Sequence, residues 1–193
     1  MRHEVNDKQL ITDPDAVVRD RLTDWLRRAV DEFGKNDLAL LATDVSEWSC
    51  AFRLGVYLGG QIDTGWHLDM EYNRQGPGGD PKRIHQLNGR VRTIRPDLLI
   101  HRRTSGLLPD NLLHLEIKKE WRGNGDEDDL RKAEASSDGR QEFQYQFAAV
   151  LGLCVGGTGE QYFAPTWRLR GAGCGWYMSD GERLLGAPHG GQS

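Results

Sequence analysis

The sequence has few cysteines, and their spacing is not that of metal ligands or disulfides. Its three cysteines, Cys50, Cys154 and Cys174, lie far apart and form no CxxC pair. Structural zinc sites and small secreted scaffolds both need cysteines that are paired and closely spaced. We therefore expect reduced thiols in a cytoplasmic protein, and neither a zinc ribbon nor a disulfide framework.

Long apolar runs are also missing. No run reaches the roughly 18 apolar residues that a membrane-spanning helix needs. The first 15 residues, MRHEVNDKQLITDPD, contain no hydrophobic stretch of the kind found in a secretory signal. The sequence predicts no membrane partner, and its 193 residues are enough for one domain with a real core.

Charge is distributed unevenly along the chain. The net charge of −4 would by itself weigh mildly against a nucleic-acid partner. Residues 82–103, however, hold seven lysines or arginines and a single acid, Asp97. A locally basic segment is typical of a surface that contacts phosphate. The alternative without a function is a loop whose charges only face solvent. Charge alone does not decide between them.

A first helix is predicted over residues 14–33. Asp13 can cap it, Pro14 suits the first helical position, and Gly34 suits the position after its end. Apolar residues recur between these limits at helical spacing, which indicates a face packed on the core. This helix carries no chemical signal.

A second helix is predicted from about Ser46 to Leu58. Glu47 falls on the same stripe as the apolar residues that would face inward, which are Ala51, Leu54, Gly55 and Leu58. An inward carboxylate needs a reason, because burying an unpaired charge is costly. Either Glu47 has a function, or it only complements the helix dipole at an exposed end.

Three strands should follow, over residues 65–74, 94–103 and 112–121. A helix over 140–152 would then run into a buried strand in AVLGLCVGG. The order of helix, helix, three strands, helix and strand predicts an α/β fold around a mixed sheet. The last forty residues contain short aromatic segments that are typical of strands.

The third predicted strand alternates strictly between apolar and polar residues. His114, Glu116 and Lys118 fall on one face, because side chains in a strand alternate between the two faces. Asp97 is near the start of the preceding strand, and adjacent strands lie about 4.8 Å apart, so these groups can converge. Two carboxylates that converge need a cation, and oxygen ligands suit Mg²⁺ or Mn²⁺. Lys118 beside that ion could orient the attacking water.

The pair Pro96-Asp97, followed by Glu116-Ile117-Lys118, resembles the bipartite motif of the PD-(D/E)xK nuclease superfamily. That superfamily includes restriction endonucleases, Holliday-junction resolvases and RecB-like nucleases. The resemblance, which extends to small uncharacterised prokaryotic members, implies a restriction-endonuclease-like αβββαβ core over residues 46–156. The helix at 14–33 and a C-terminal extension at 157–193 would complete a single domain.

The resemblance also implies a site and a reaction. Asp97, Glu116 and the main-chain carbonyl of Ile117 would bind Mg²⁺ or Mn²⁺, and Glu47 would be a further ligand. Lys118 would assist the water that hydrolyses DNA, and endonuclease action is favoured over exonuclease action. RNA stays open as a substrate, and a homodimer would suit duplex cleavage, which needs two sites. The alternatives are a non-catalytic nucleic-acid-binding subunit that keeps the fold, and an unrelated α/β protein in which Glu116 and Lys118 only face water.

Further residues are candidates for supporting roles. The predicted contacts to the nucleic-acid backbone are Arg74, Lys82, Arg83, Arg90, Arg92, Arg102 and Arg103. Gln141 and Tyr145 have the Q-x-x-x-Y spacing that RecB-like members carry on the following helix, and Glu71 is either an extra metal ligand or a partner of Arg74. His67, His85, His101 and His114 show no metal-binding spacing. His101 and His114 share faces with the proposed site, and they are interpreted as solvent-facing strand residues, with a phosphate contact as the alternative.

Overall fold

The computed structural model describes residues 14–43, 45–75, 79–85, 91–103, 110–119, 131–133, 135–136, 145–153, 155–156, 162–163, 166–171 and 176–178. Its helices are α1 (Pro14–Asn36), α2 (Leu38–Ala42) and α3 (Glu47–Gly59). Its strands are β1 (His67–Met70), β2 (Arg74–Gln75), β3 (Asp80–Pro81), β4 (Arg83–His85), β5 (Val91–Thr93), β6 (Leu98–His101), β7 (Asn111–Lys119), β8 (Phe147–Leu153), β9 (Val155–Gly156), β10 (Tyr162–Phe163), β11 (Thr166–Gly171) and β12 (Trp176–Met178).

Six strands form one mixed sheet in the order β1-β6-β7-β8-β11-β12. Strands β7 and β8 pair in parallel, and the other neighbours in this sheet pair antiparallel. Three separate two-stranded ladders join β2 to β3, β4 to β5 and β9 to β10. The mixed α/β class predicted from the sequence is confirmed, whereas the finer restriction-endonuclease-like core stays a prediction.

Helices α1 and α3 cover one face of the sheet. Helix α1 begins at Pro14 as predicted but continues two residues past Gly34. Helix α3 has the predicted cap, since the Ser46 side chain accepts a hydrogen bond from the backbone N–H of Ser49. The predicted inward stripe is confirmed: the buried residues of α3 are Cys50, Ala51, Leu54, Gly55 and Leu58. They pack with α1, β6, β7 and β8 in one core cluster.

The opposite face of the central strands is covered as well. Residues 131–133 and 135–136 are helical, and Ala133 packs on Ala148 and Val150 of β8. Tyr145 packs beside Leu99 of β6 in a second small cluster. The middle of the sheet is therefore buried on both sides. Among the described residues, no helix is long and apolar enough to cross a membrane.

Some predicted elements were wrong in kind or in length. The helix predicted over 140–152 is contradicted from Phe147 onward, where β8 runs in parallel with β7. All seven residues of β8 are buried, and a strand covered on both faces shows no alternation that would distinguish it from a buried helix. Strand β1 is four residues long, not ten, and it ends where Glu71 adopts a positive φ of 48°.

Candidate metal and catalytic site

The site predicted from the sequence lies at the end of β7, which extends beyond the part that pairs with β6. The pairing of β6 with β7 begins at Leu98 opposite Leu115, so residues 116–119 extend past the first residue of β6. On the other edge, β8 stays paired with β7 as far as Lys119. Residues 116–119 of β7 therefore border a notch in the sheet, which is the space that β6 does not reach. In this notch, side chains supply the hydrogen-bond acceptors for backbone N–H groups of β7.

Asp97 supplies the first of these acceptors. It immediately precedes β6, and its Oδ2 accepts a 2.7 Å hydrogen bond from the backbone N–H of Ile117. The Asp97 carboxylate thus lies beside the peptide that joins Glu116 to Ile117. The two halves of the predicted motif are in direct contact.

Glu47 supplies the second acceptor. Its Oε1 accepts a 3.1 Å hydrogen bond from the backbone N–H of Lys119, and its Oε2 is 3.4 Å from Lys118 Nζ. The Glu47 side chain is 45% exposed, so the expectation that it faces inward on the buried stripe of α3 was wrong. It lies in the exposed first turn of α3 and reaches sideways to β7. The Lys119 ammonium donates to the Val45 carbonyl at 2.7 Å and holds the start of α3 against the same strand.

Glu116 is enclosed by two basic side chains. Only 3% of its surface is exposed. Its Oε1 lies 2.7 Å from His114 Nε2, and its Oε2 lies 3.5 Å from Lys132 Nζ. Sequence reasoning missed Lys132, because it lies in a polar stretch with no spacing that links it to the motif.

These residues suit a hard divalent cation in chemistry and number. Asp97, which accepts from the Ile117 N–H, and Glu116 each offer a carboxylate, and Mg²⁺ is usually held by one or two carboxylates plus water and phosphate oxygens. Among the described residues, no three His, Cys, Asp or Glu side chains converge as a metal cluster. With two carboxylates, any Mg²⁺ held here would take its remaining ligands from water or phosphate oxygens.

No family model, curated protein or solved structure gives a significant match to the chain. The functional interpretation therefore depends on the motif and on the geometry of the notch. Membership of the nuclease superfamily stays a prediction.

Glu71 pairs with residues other than Arg74, and its backbone N–H donates to the Asp97 carbonyl at 3.3 Å. Its Oε2 pairs with Arg95 at 3.2 Å, and its Oε1 accepts a 2.6 Å hydrogen bond from the Trp48 indole N–H. Arg74 instead donates to the Gly79 carbonyl. The expected ion pair of Glu71 with Arg74 is thus replaced by one with Arg95, and a role as a metal ligand stays a prediction.

Lys82 cannot contact nucleic acid, and its prediction as a phosphate contact was wrong. Only 1% of its surface is exposed, and its ammonium donates to the Tyr145 hydroxyl and the Tyr72 carbonyl. Burial lowers the pKa of Lys82 to about 8, with the Asp69 charge opposing the shift. Tyr145 is buried and non-helical, so it does not share a helix face with Gln141, which lies outside the described residues.

The predicted arginine contacts differ in their surroundings. Arg74, Arg83 and Arg92 are exposed. Arg102 pairs with Asp110 at 3.6 Å and lies over the Trp66 ring, and Arg103 pairs with Asp69. Arg90 lies outside the described residues.

His101 and His114 are buried, which contradicts their prediction as solvent-facing residues. His101 and His114 each lie 2.7 Å from a carboxylate, that of Asp69 and that of Glu116 respectively. Burial lowers the pKa of His101 although Asp69 opposes the shift. His67 is exposed.

Proposed function

We propose that this protein is a Mg²⁺-dependent nuclease that hydrolyses phosphodiester bonds of DNA. The supporting observation is the contact between the Asp97 carboxylate and the peptide that follows Glu116, which brings the two motif halves together. A chance occurrence of the motif would not require this contact. The restriction-endonuclease-like core, the DNA substrate and a homodimer belong to the same proposal.

Each residue of the notch has a role in this proposal. Asp97, Glu116 and the Ile117 carbonyl would hold Mg²⁺ (or Mn²⁺), and Glu47 would reach it directly or through water. The ion would supply positive charge near the scissile phosphate and lower the pKa of water. Glu116 is almost fully buried. The low dielectric constant of its surroundings strengthens any electrostatic interaction that it makes.

Lys118 would orient the attacking water. Its ammonium extends from the same strand as Glu116 and is kept in the notch by the Glu47 carboxylate at 3.4 Å. In-line attack on phosphorus would break the bond to the 3′ oxygen and leave a 5′-phosphate and a 3′-hydroxyl, as the family resemblance implies. The exposed Arg74, Arg83 and Arg92 would contact backbone phosphates and position the strand without reading its sequence.

The same contacts favour one alternative. Asp97 and Glu47 accept hydrogen bonds from backbone N–H groups of β7 that β6 does not reach. Satisfying such groups is a structural role that needs no metal. A nucleic-acid-binding subunit that keeps the fold without cutting would retain these carboxylates for that reason alone.

Cleavage assays separate the two functions. Supercoiled plasmid and single-stranded DNA would be incubated with the full chain in Mg²⁺, Mn²⁺ or EDTA. We expect cleavage with either metal, none in EDTA, and a rate lower by about 10²-fold or more in Lys118→Gln, since a positioned proton-handling group contributes on that order.

The matched control is Lys119→Gln. Lys119 neighbours Lys118, but its ammonium donates to Val45, away from the proposed chemistry. Its variant should cleave within a few-fold of the wild type. Intact substrates under all conditions would leave the binding subunit as the better interpretation, and equal loss in both variants would contradict the role of Lys118.

A further inference from the structure

A buried histidine holds one oxygen of Glu116. The His114 side chain is fully buried, and its Nε2 lies 2.7 Å from Glu116 Oε1. A carboxylate accepts hydrogen bonds, so in this contact Nε2 carries a proton and donates it. Within the described part of the chain, Nδ1 of the same ring is the buried side-chain nitrogen or oxygen that lacks a hydrogen-bond partner.

The His114 ring packs against Tyr145, and its backbone lies between two neighbouring strands. Its backbone pairs with Leu99 of β6 on one side and with Ala148 of β8 on the other. The Tyr145 ring meets it edge-on with centroids 5.6 Å apart, and the Tyr145 hydroxyl is bonded to the buried Lys82 ammonium. Full burial and the edge-on contact with Tyr145 restrict the motion of the His114 ring.

This arrangement is poorly explained by stability. A buried charge and an unpartnered ring nitrogen each lower the free energy of unfolding. Apolar side chains of similar volume usually replace buried ion pairs without loss. What the pair does provide is a fixed orientation for Glu116, whose Oε2 is meanwhile 3.5 Å from Lys132.

We propose that His114 is a positioning residue that fixes the Glu116 carboxylate for a divalent cation shared with Asp97. This inference depends on the proposed function, since it assumes that Glu116 is a metal ligand. Carboxylates that bind metals are themselves hydrogen-bonded, and losing such a partner typically costs about 10–100-fold in metal affinity. His114 would thus act through Glu116 and touch neither the ion nor the substrate.

The test is the affinity of the full chain for Mn²⁺, measured by calorimetry on the wild type, His114→Gln and His114→Leu. Glutamine places an amide N–H near the position of Nε2 and should keep the affinity within about 3-fold. Leucine removes the donor and should weaken binding by about 10–100-fold. Urea unfolding of each variant shows whether it is folded. If the leucine variant does not fold, His114→Asn takes its place, because asparagine is polar but too short to reach Glu116.

His101→Leu is the matched control. His101 is also buried on a central strand and also lies 2.7 Å from a carboxylate, but that carboxylate is Asp69. Its loss should disturb the core similarly and leave the Mn²⁺ affinity within about 3-fold of the wild type.

Three results would overturn the inference. Equal Mn²⁺ affinity in the wild type and in folded His114→Leu or His114→Asn would show that Glu116 does not need the histidine. Equal weakening by His114→Gln, or by His101→Leu, would point to a general effect on the fold. In either case the nuclease proposal would stand, whereas a wild type that binds no Mn²⁺ would overturn both.

Discussion

At the scale of single residues, the carboxylates of the notch combine a structural contact with a proposed chemical one. Asp97 and Glu47 accept hydrogen bonds from backbone N–H groups at the end of β7, and truncating either would leave such a group without its acceptor. An unsatisfied N–H typically costs about 1–3 kcal/mol. Alanine variants would therefore confuse lost folding with lost chemistry. Amide variants remove the charge and replace one oxygen by an NH₂ group, but they keep one oxygen that can accept from the backbone N–H.

Lys82 gives a residue-scale prediction about pH. Burial lowers its pKa to about 8, beside Tyr72, Tyr145 and the opposing charge of Asp69. Between pH 8 and its ordinary pKa of 10.5, the unfolded chain keeps a proton that the folded chain has lost. Stability then rises with pH, because the unfolded state binds more protons.

Lys82→Met is the reference for this prediction, since methionine cannot titrate. From pH 8 to pH 10.5 the unfolding free energy of the wild type should rise relative to that of the variant, by up to about 3 kcal/mol. Urea denaturation at each pH measures the difference. A difference that stays constant over this range would contradict a charged, desolvated Lys82 in the fold.

The contact between the two motif halves was predictable from the sequence, but its surroundings were not. Period-two alternation put His114, Glu116 and Lys118 on one face, and Asp97 does meet the peptide beside Glu116. Alternation does not say whether that face is wet, and residues far along the chain cover it, among them Ala133 and Tyr145. The burial of Glu116 and His114, and the contact with Lys132, depend on this covering layer.

At the scale of elements, α1 and α3 were predictable because each buries one stripe, whereas β8 was divided between the predicted helix over 140–152 and the predicted buried strand in AVLGLCVGG. Helix α3 combines a capping serine with a buried face of regular spacing, and both signals are local. Strand β8 is buried on both faces, so its residues could equally have belonged to a helix until its parallel partner β7 was known. The notch depends on both elements, since α3 supplies Glu47 and β8 keeps the end of β7 extended.

The packing of α3 on the sheet leads to an element-scale prediction. A Cβ at Gly55 would lie 3.1 Å from Leu98 Cδ2, which is closer than ordinary contact. Gly55→Val should therefore lower the unfolding free energy by about 1–3 kcal/mol, the usual cost of overpacking a core. Gly59→Val is the control, because a Cβ there meets only Leu68 Cδ2 at 3.6 Å. Urea denaturation should show a change within about 0.5 kcal/mol for Gly59→Val, and equal effects of the two substitutions would contradict this packing.

At the scale of the whole molecule, binding to an anionic partner must come from local charge, because the net charge is −4. The structure reduces the number of basic residues that could contact such a partner. Lys82 is buried, and Arg102 and Arg103 are paired with acids. Arg74 and Arg83 are exposed and are not part of these pairs, so they are the better candidates.

Arg83→Gln tests this surface. If Arg83 contacts a phosphate, its loss should weaken DNA binding and reduce the slope of log affinity against log salt by about 0.9 for duplex DNA. Fluorescence anisotropy in EDTA, where cleavage is blocked, measures both quantities. Arg27→Gln removes an exposed charge from α1 and should leave the slope unchanged. An unchanged slope in Arg83→Gln would exclude Arg83 from the interface.

The most direct test of the central claim is the rate of Mg²⁺-dependent DNA cleavage by Asp97→Asn beside that of the wild type. The asparagine oxygen can still accept from the Ile117 N–H, so urea unfolding should agree within about 1 kcal/mol. The lost charge should lower the cleavage rate by about 10²-fold or more, a change of roughly 2.7 kcal/mol in the barrier. Wild-type rates in the folded variant, or no cleavage by the wild type, would contradict a metal-dependent nuclease at this notch.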